Sequence, residues 1–379
     1  MKVHKTDLIV KASILEEGLV EDVKSLITRN SSVFEGEKVV LMVDAHKGQI
    51  VPVGFTMTLR NGLLIPELLG SDIGCGVTSY LLRDVQLTSR HLRELERIIR
   101  DLIPITSRIY YETNMLTSKG TLGSGNHFFE IGSNGKDLLM SVHSGSRSYG
   151  GMKFRDLQFE AREQSKENRR VSKKEIIDTL KAQGRQKEIN KVLAEMPKDD
   201  YIPYLCLTEE IKTMIDSVVS FASASRRYIL EDMMKVLRCM GVSINEYDII
   251  ESIHNYVDFS GDVPILRKGS ISAPHGTKVV IPLNMRDGII VGISGITDKV
   301  NFSLPHGAGR VMSRTRAKSE LTFDDFLEDM EGIYSPTVNV DTLDESPRAY
   351  KPAEEILKDI KPYLSSYEIF KTIFNYKGT

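Results

Sequence analysis

Residues 127–143 read HFFEIGSNGKDLLMSVH. Asn134-Gly135 tolerates the positive φ values of a tight type I′ turn, and short apolar, β-forming runs flank it. The spacing predicts a hairpin in which HFFEIG pairs with LLMSVH and the residue numbers across the ladder sum to about 269. His127 then faces Val142, and His143 lies beside His127 at the same strand end, a register that one extra loop residue would shift. Asn61-Gly62 is a second hairpin signal of the same kind. Further β-rich runs, KVVLMVD from Lys38, KVVIP from Lys278 and IIVGI from Ile289, are bounded by Gly, Pro and Asp. Between them, Leu92, Leu95, Ile98, Ile99 and Leu102 keep helical spacing behind the potential N-caps Thr88 and Ser89. Ile211, Ile215, Val218, Val219 and Ala222 do the same towards Leu237. The mixture predicts an α+β fold.

The chain has 379 residues, 41% hydrophobic and 27% charged, enough to bury a large core in one large domain or two fused ones. Three cysteines give no disulfide framework, and no charged-then-apolar leader opens the sequence. The expected compartment is the cytoplasm. No apolar run approaches the roughly 20 residues needed to cross a bilayer. The formal charge of −2 excludes little, because basic residues can gather on one face of an otherwise acidic protein. The stretch from about Lys153 to Asp200 is the marked shift to polar composition. It reads as an exposed helical excursion rather than a domain boundary. Arg169, Arg170, Lys173 and Lys174 stand there among Glu163, Glu167 and Glu175, which suits either a solvated helix or an RNA-binding arm.

Chemistry concentrates elsewhere. In GSDIGCGV, residues 70–77, Asp72 and Cys75 sit three residues apart among glycines. Of eight histidines, six fall in glycine-rich or strand-end polar contexts: His46, His127, His143, His254, His275 and His306. One such histidine is commonly a hydrogen-bonded turn residue; several predict a shared site. A thiolate with imidazoles and a carboxylate suits Zn²⁺, Mn²⁺, Fe²⁺ or Co²⁺ better than Mg²⁺. Cys75 is then either a metal ligand or a thiol packed in a turn. Cys206 and Cys239, in YLCLT and VLRCMG, read as small buried hydrophobes.

Six strings in order, GSDIGCGV, GTLGSGNHFFE, VHSGSRSYG, SIHN, LRKGS and PHGAGRVMSR, resemble the RtcB family of RNA ligases from about Asp44 to Lys377. The resemblance implies one α+β domain over residues 1–379 with a central cleft holding two divalent ions, usually Mn²⁺. Cys75 matches the position that bridges them. Asp72 and His127 resemble the other ligands of one ion, and His143 and His254 those of the second. His306 resembles the nucleophile that attacks the α-phosphorus of GTP and carries GMP. Asn126 resembles a residue on the nucleotide phosphates. Phe128, Glu130, Ala308, Tyr350 and Lys377 resemble the lining of the guanine nucleotide pocket, although Tyr350 and Lys377 read equally as surface and tail residues. Arg147, Lys268, Arg310 and Arg314 fit a basic track for RNA phosphates, and Arg314 equally fits a helix-surface charge. Asp44 and His46 fall in a family segment near the ions. The chain departs from the pattern at Val43, usually Pro, at Leu283-Asn284, usually Gly-Ser, and in lacking the glycine after the arginine of HSGSRSYGG.

The implied activity is GTP-dependent joining of RNA ends bearing a 2′,3′-cyclic phosphate or 3′-phosphate to 5′-hydroxyl ends. The rival readings are a dinuclear metal phosphoesterase and a catalytically inactive RNA-binding relative. The natural RNA, the strictness of guanine selection, the oligomeric state and any accessory activator protein are left open by the residues.

Overall fold

Two apolar-patterned helices share a core with strands such as Gly76–Leu82 and Leu138–Ser144, which are buried along their whole length. The computed structural model describes residues 1–48, 50–109, 120–123, 125–195, 202–296 and 298–378. Helix Ser89–Ile109 starts where Thr88 Oγ1 accepts the His91 N–H at 3.3 Å, and it buries Leu92, Leu95 and Ile99. Helix Glu209–Cys239 is capped by Thr208, whose hydroxyl accepts the Ile211 N–H. It buries Ile215, Val218 and Ala222. Each such buried Leu, Ile or Val side chain contributes roughly 1.5–3 kcal/mol over exposure. Of the expected positions, the Leu102 side chain and residues 196–200 lie outside the described residues.

Two large sheets carry the fold. One has six strands in the order Lys2–Val3, Thr6–Val10, Lys38–His46, Val53–Thr58, Ile265–Lys268, Asn255–Asp258. The other has seven: Tyr247–Ile253, Gly76–Leu82, Leu138–Ser144, Phe128–Ser133, Leu364–Lys377, Gly288–Ser294, Lys278–Asn284. The ladders between these strands are antiparallel except where Thr6–Val10 pairs with Lys38–His46. Helices beside mostly antiparallel sheets make an α+β fold. The chain passes from the seven-stranded to the six-stranded sheet at His254, between Tyr247–Ile253 and Asn255–Asp258.

Three local expectations are corrected. The Asn134-Gly135 hairpin forms, but its first pair is Ser133 with Leu138, and Phe128, not His127, faces His143. The loop holds four residues because Asn134 Oδ1 accepts the N–H groups of both Lys136 and Asp137, an Asx-type closure that favours a longer turn. The register therefore moves by two, which preserves the faces. Asn61-Gly62 turns the chain without making a hairpin: Val53–Thr58 pairs within the six-stranded sheet, while Leu63–Leu64 pairs with Leu205–Cys206. Cys206 and Cys239 are exposed. Cys206 alternates with buried Leu205 along a two-residue strand, and Cys239 ends its helix past buried Leu237.

Among the described residues the polar stretch is mostly helical. Helix Arg147–Ala182 spans most of it and helix Ile189–Glu195 follows. Among the described residues no helix is long and apolar enough to cross a membrane.

Candidate functional site

Strand ends from both sheets meet at a cleft of about 350 Å³. The GSDIGCGV turn enters it first. Gly74 takes φ +78°, and an added Cβ there would stand 3.0 Å from the backbone of Val219, so only glycine lets the turn pass this close to the long helix. Cys75 N–H closes the turn on the Asp72 carbonyl at 3.2 Å, and the Cys75 carbonyl accepts the His254 N–H at 2.9 Å. At Gly145 a Cβ would fall 1.8 Å from Asp72 Oδ1, so the carboxylate occupies space that a side chain would fill.

The donor atoms converge. Cys75 Sγ lies 3.3 Å from His143 Nε2 and 3.6 Å from His127 Nε2. His127 Nε2 is 3.2 Å from Asp72 Oδ2, and the Nε2 atoms of His143 and His254 are 3.0 Å apart. Two groups result that could each hold a metal ion, Asp72 with Cys75 and His127, and Cys75 with His143 and His254. They share Cys75.

Charge and tautomer fit this use. Burial first, then the neighbouring imidazoles, pushes His143 well below its ordinary pKa, and burial with His306 nearby does the same for His254. Both rings are therefore neutral, the state that ligates metals. His143 gives its Nδ1–H to the Asn126 carbonyl at 3.2 Å, leaving a lone pair on Nε2. His254 Nδ1 is buried without a hydrogen bond, so either tautomer leaves one of its nitrogens unmatched, whereas a cation between the two Nε2 atoms would use both lone pairs. His127 can likewise give Nδ1–H to the Leu122 carbonyl at 3.0 Å, although the Arg147 guanidinium also approaches that nitrogen at 3.2 Å. Ligation through Nε2 requires the first arrangement. Burial raises the Asp72 pKa, but the His127 contact outweighs it and holds the group at about 2. Burial and the Asp72 charge push the Cys75 thiol well up; a bound metal ion reverses that shift by stabilising the thiolate.

His306 stands beside this cluster, its ring 4.6 Å from that of His254. Asp44 Oδ2 accepts both the His306 backbone N–H, at 3.1 Å, and Nδ1–H, at 2.5 Å. Asp44 is fully buried in strand Lys38–His46. The Lys351 ammonium donates to the carbonyls on either side of it, Val43 and Ala45, at 2.8 and 3.2 Å. His46 lines the cleft and bonds the Asp44 carbonyl. His275 is the exception among the six: it is exposed in a turn away from the cleft.

The remaining expected residues sort clearly. Asn126, Phe128, Glu130, Ala308, Tyr350, Lys377, Lys268, Arg310 and Arg314 all line the cleft. His127 and Arg147 stand behind its lining. Lys377 and Tyr350 are not surface residues: Lys377 Nζ is 2.8 Å and Tyr350 Oη 2.6 Å from the buried Glu345 carboxylate. The same carboxylate takes Arg310 at 3.3 Å and Arg314 at 2.8 Å. Lys268 bonds the Leu69 carbonyl and faces the Asp72 side of the cleft.

Glu345 escaped sequence reading because nothing in DESP distinguishes it from a turn. Arg226 escaped it too, yet a signal existed: it interrupts the apolar face of its helix between Ala222 and Leu230. Fully buried, it donates to the carbonyls of Gly74 and Ser144, each at 2.8 Å, and pairs with Glu251 at 3.0 Å. It thereby ties the Cys75 turn to the strand end of His143.

Glu130 carries a pH dependence. Burial pushes it up to about 8, against the donors Asn375 and Thr372 at 2.7 and 3.2 Å. Between the ordinary carboxyl value and about 8, the folded chain holds a proton that the unfolded chain has released, so stability falls as pH rises through that window. Glu130→Gln should flatten that fall. Thermal melts from pH 5 to 8 check it, and an unchanged slope would contradict it.

The fold is α+β, and two residue groups that could each hold a metal ion share Cys75 beside a carboxylate-oriented imidazole. A family model described as tRNA-splicing ligase RtcB matches residues 28–115 and 107–378. The RNA-splicing ligase RtcB1 of Escherichia coli (strain ATCC 25922) is 26% identical over 389 residues, covering 88% of each chain. RNA-splicing ligase RtcB of Escherichia coli (strain K12) is 26% identical over 394 residues, again with 88% of each covered. The tRNA-splicing ligase RtcB of Aeropyrum pernix is 24% identical over 456 residues, with 92% of this chain and 90% of that one covered. The chain belongs to the RtcB family.

Proposed function

We propose that this protein is a GTP- and metal-dependent RNA ligase joining 2′,3′-cyclic phosphate or 3′-phosphate ends to 5′-hydroxyl ends, acting as a single domain. The observation that carries this reading is His306: Nδ1 is committed to buried Asp44, which leaves the Nε2 lone pair for the cleft beside the donor cluster. A dinuclear phosphoesterase would need the donor cluster but no such oriented nucleophile, and an inactive relative would need neither.

Asp72, Cys75, His127, His143 and His254 would hold two Mn²⁺ or similarly soft ions. Bound ions supply Lewis-acid stabilisation of charge on phosphate oxygens. Phe128, Glu130, Ala308, Tyr350 and Lys377 receive the guanine nucleotide, and Asn126 its phosphates. His306 Nε2 attacks the α-phosphorus of GTP; the bond to the β-phosphate oxygen breaks and pyrophosphate leaves. Asp44 stabilises the imidazole charge that forms. Any cyclic phosphate is opened by water to a 3′-phosphate. An oxygen of that phosphate then takes the guanylate from His306, breaking the N–P bond. The 5′-hydroxyl attacks the activated terminal phosphorus, and GMP leaves. Lys268, Arg310 and Arg314, which line the cleft, hold RNA phosphates through these displacements, with Arg147 behind them at His127.

Incubation of the purified chain with Mn²⁺ and labelled GTP tests the reading: an acid-labile, base-stable protein adduct is expected, and its absence would speak for the phosphoesterase. Lys377 gives a sharper expectation. Gly378 N–H bonds the His127 carbonyl at 2.9 Å, so deleting the tail would disturb a metal ligand as well; Lys377→Met keeps the strand and removes only the ammonium. This variant should form the adduct about 100-fold more slowly while sealing RNA already activated with 3′-terminal guanylate nearly as well as the parent. Equal loss in both assays would assign Lys377 a general structural role.

A further inference from the structure

Helix Arg147–Ala182 begins behind the cleft lining at Arg147, which approaches His127, and becomes more exposed along its length. Its inner half packs into the core through Leu157 and Ala161. Beyond Ser165 nearly every residue to Thr179 is exposed or half-buried. On this outer half Lys166, Arg169, Arg170, Lys173, Lys174 and Lys181 line one shallow groove. Steps of three and four residues keep them on one helical face. At about 1.5 Å per residue, this face begins roughly 29 Å from Arg147 and ends roughly 51 Å from it.

We propose that this face docks the phosphate backbone of the RNA body, well away from the ends being joined, so that the helix holds long substrates in line with the cleft. The proposal rests on the RNA-ligase reading above. Charge complementarity favours RNA over a protein partner: the groove lining holds six cations, one carboxylate, Asp178, and one aliphatic side chain, Ile177. A protein interface would need an apolar centre, whereas backbone recognition needs cations at repeated intervals. Lys166 and Arg170 already pair with Glu163 and Glu167, at 2.7 and 3.5 Å. These pairs are exposed to solvent and so exchange readily for phosphate. The formal charge of the whole chain is −2, so the stripe is a local feature and not part of a generally basic surface.

The test compares the parent chain with K173E/K174E, and with the milder K173Q/K174Q, on two RNAs that both end in a 3′-phosphate. One is a five-nucleotide strand, about 17 Å long when stacked at ~3.4 Å per nucleotide, too short to reach the stripe. The other is a 20-base-pair hairpin with a short single-stranded 3′ end. Charge reversal should weaken hairpin binding about tenfold or more and lower its log–log salt slope by about 2. The Gln variant should show a smaller loss in the same direction. Five-nucleotide binding and the GMP adduct should be unchanged in both variants. Equal hairpin affinity in parent and variants, or equal losses on both RNAs, would overturn the proposal. So would polyglutamate binding that the variants lose while hairpin binding stays intact, since the face would then belong to an acidic protein partner. A parent chain that neither forms the adduct nor seals RNA would instead overturn the ligase reading; a parent that seals, with variants matching it on the hairpin, overturns the docking face alone.

Discussion

His306→Ala should abolish the GMP adduct and lower ligation of 3′-phosphate RNA by at least about 10³-fold, on the order of 4 kcal/mol of barrier, while leaving metal content near that of the parent. The size of the effect follows from the chemistry. A phosphate monoester has no adequate leaving group until it is guanylylated, and in the proposed mechanism guanylylation passes through this imidazole. Its position outside the two donor groups is why metal should be retained. Asp44→Asn should fall between the two, because Oδ2 would lose its charge while the imidazole keeps its place. Intact-mass measurement after incubation with GTP and Mn²⁺ checks both variants. A fully active His306→Ala chain would remove the nucleotidyl-transfer mechanism, and an adduct retained on another residue would move the nucleophile.

Cys75→Ala should cost more metal than any other single change at the site. Its sulfur belongs to both donor groups, whereas the Asp72 carboxylate belongs to one. Asp72→Ala should therefore keep about one ion per chain after dialysis and Cys75→Ala well under one, read by elemental analysis. Equal losses would remove the shared thiolate from the account. Because a thiolate and imidazoles favour softer ions, Mg²⁺ alone should support little adduct formation in the parent chain. Melting temperature separates metal loss from unfolding, since Cys75 is a small buried side chain whose replacement by Ala leaves the turn glycines in place.

Much of this site was legible in the sequence because glycine-rich turns around reactive side chains are unusual and carry their own explanation. The glycine-rich contexts pointed to a shared site and the family resemblance to a particular set, and Asp72, Cys75, His127, His143 and His254 lie together in the structure. The fold class was legible as well: KVVLMVD, KVVIP and IIVGI are strands, and both apolar-patterned helices form. Side-chain competition was harder to read. Asn134 spends its amide oxygen on two backbone donors and lengthens the hairpin loop. Asn61 donates to the Val33 carbonyl at 2.7 Å and so ties its turn to the short helix Ser31–Phe34. Neither choice is encoded by the Asn-Gly pair alone. The apolar contexts of Cys206 and Cys239 misled for a related reason, since burial depends on which way one residue faces and not on its neighbours in sequence. Glu345 and Arg226 are the deeper case. Each gathers groups far apart in the chain, and that convergence exists only once the sheets have assembled.

The most direct measurement follows the terminal phosphate itself. RNA bearing a ³²P-labelled 3′-phosphate is incubated with a 5′-hydroxyl RNA, GTP, Mn²⁺ and the purified chain, and the label is then challenged with phosphatase. The ligase account predicts that the label passes into a longer RNA as the junction phosphate and becomes phosphatase-resistant, with no product when GTP is omitted. Release of the label as inorganic phosphate, with or without GTP, would contradict it and identify a phosphoesterase.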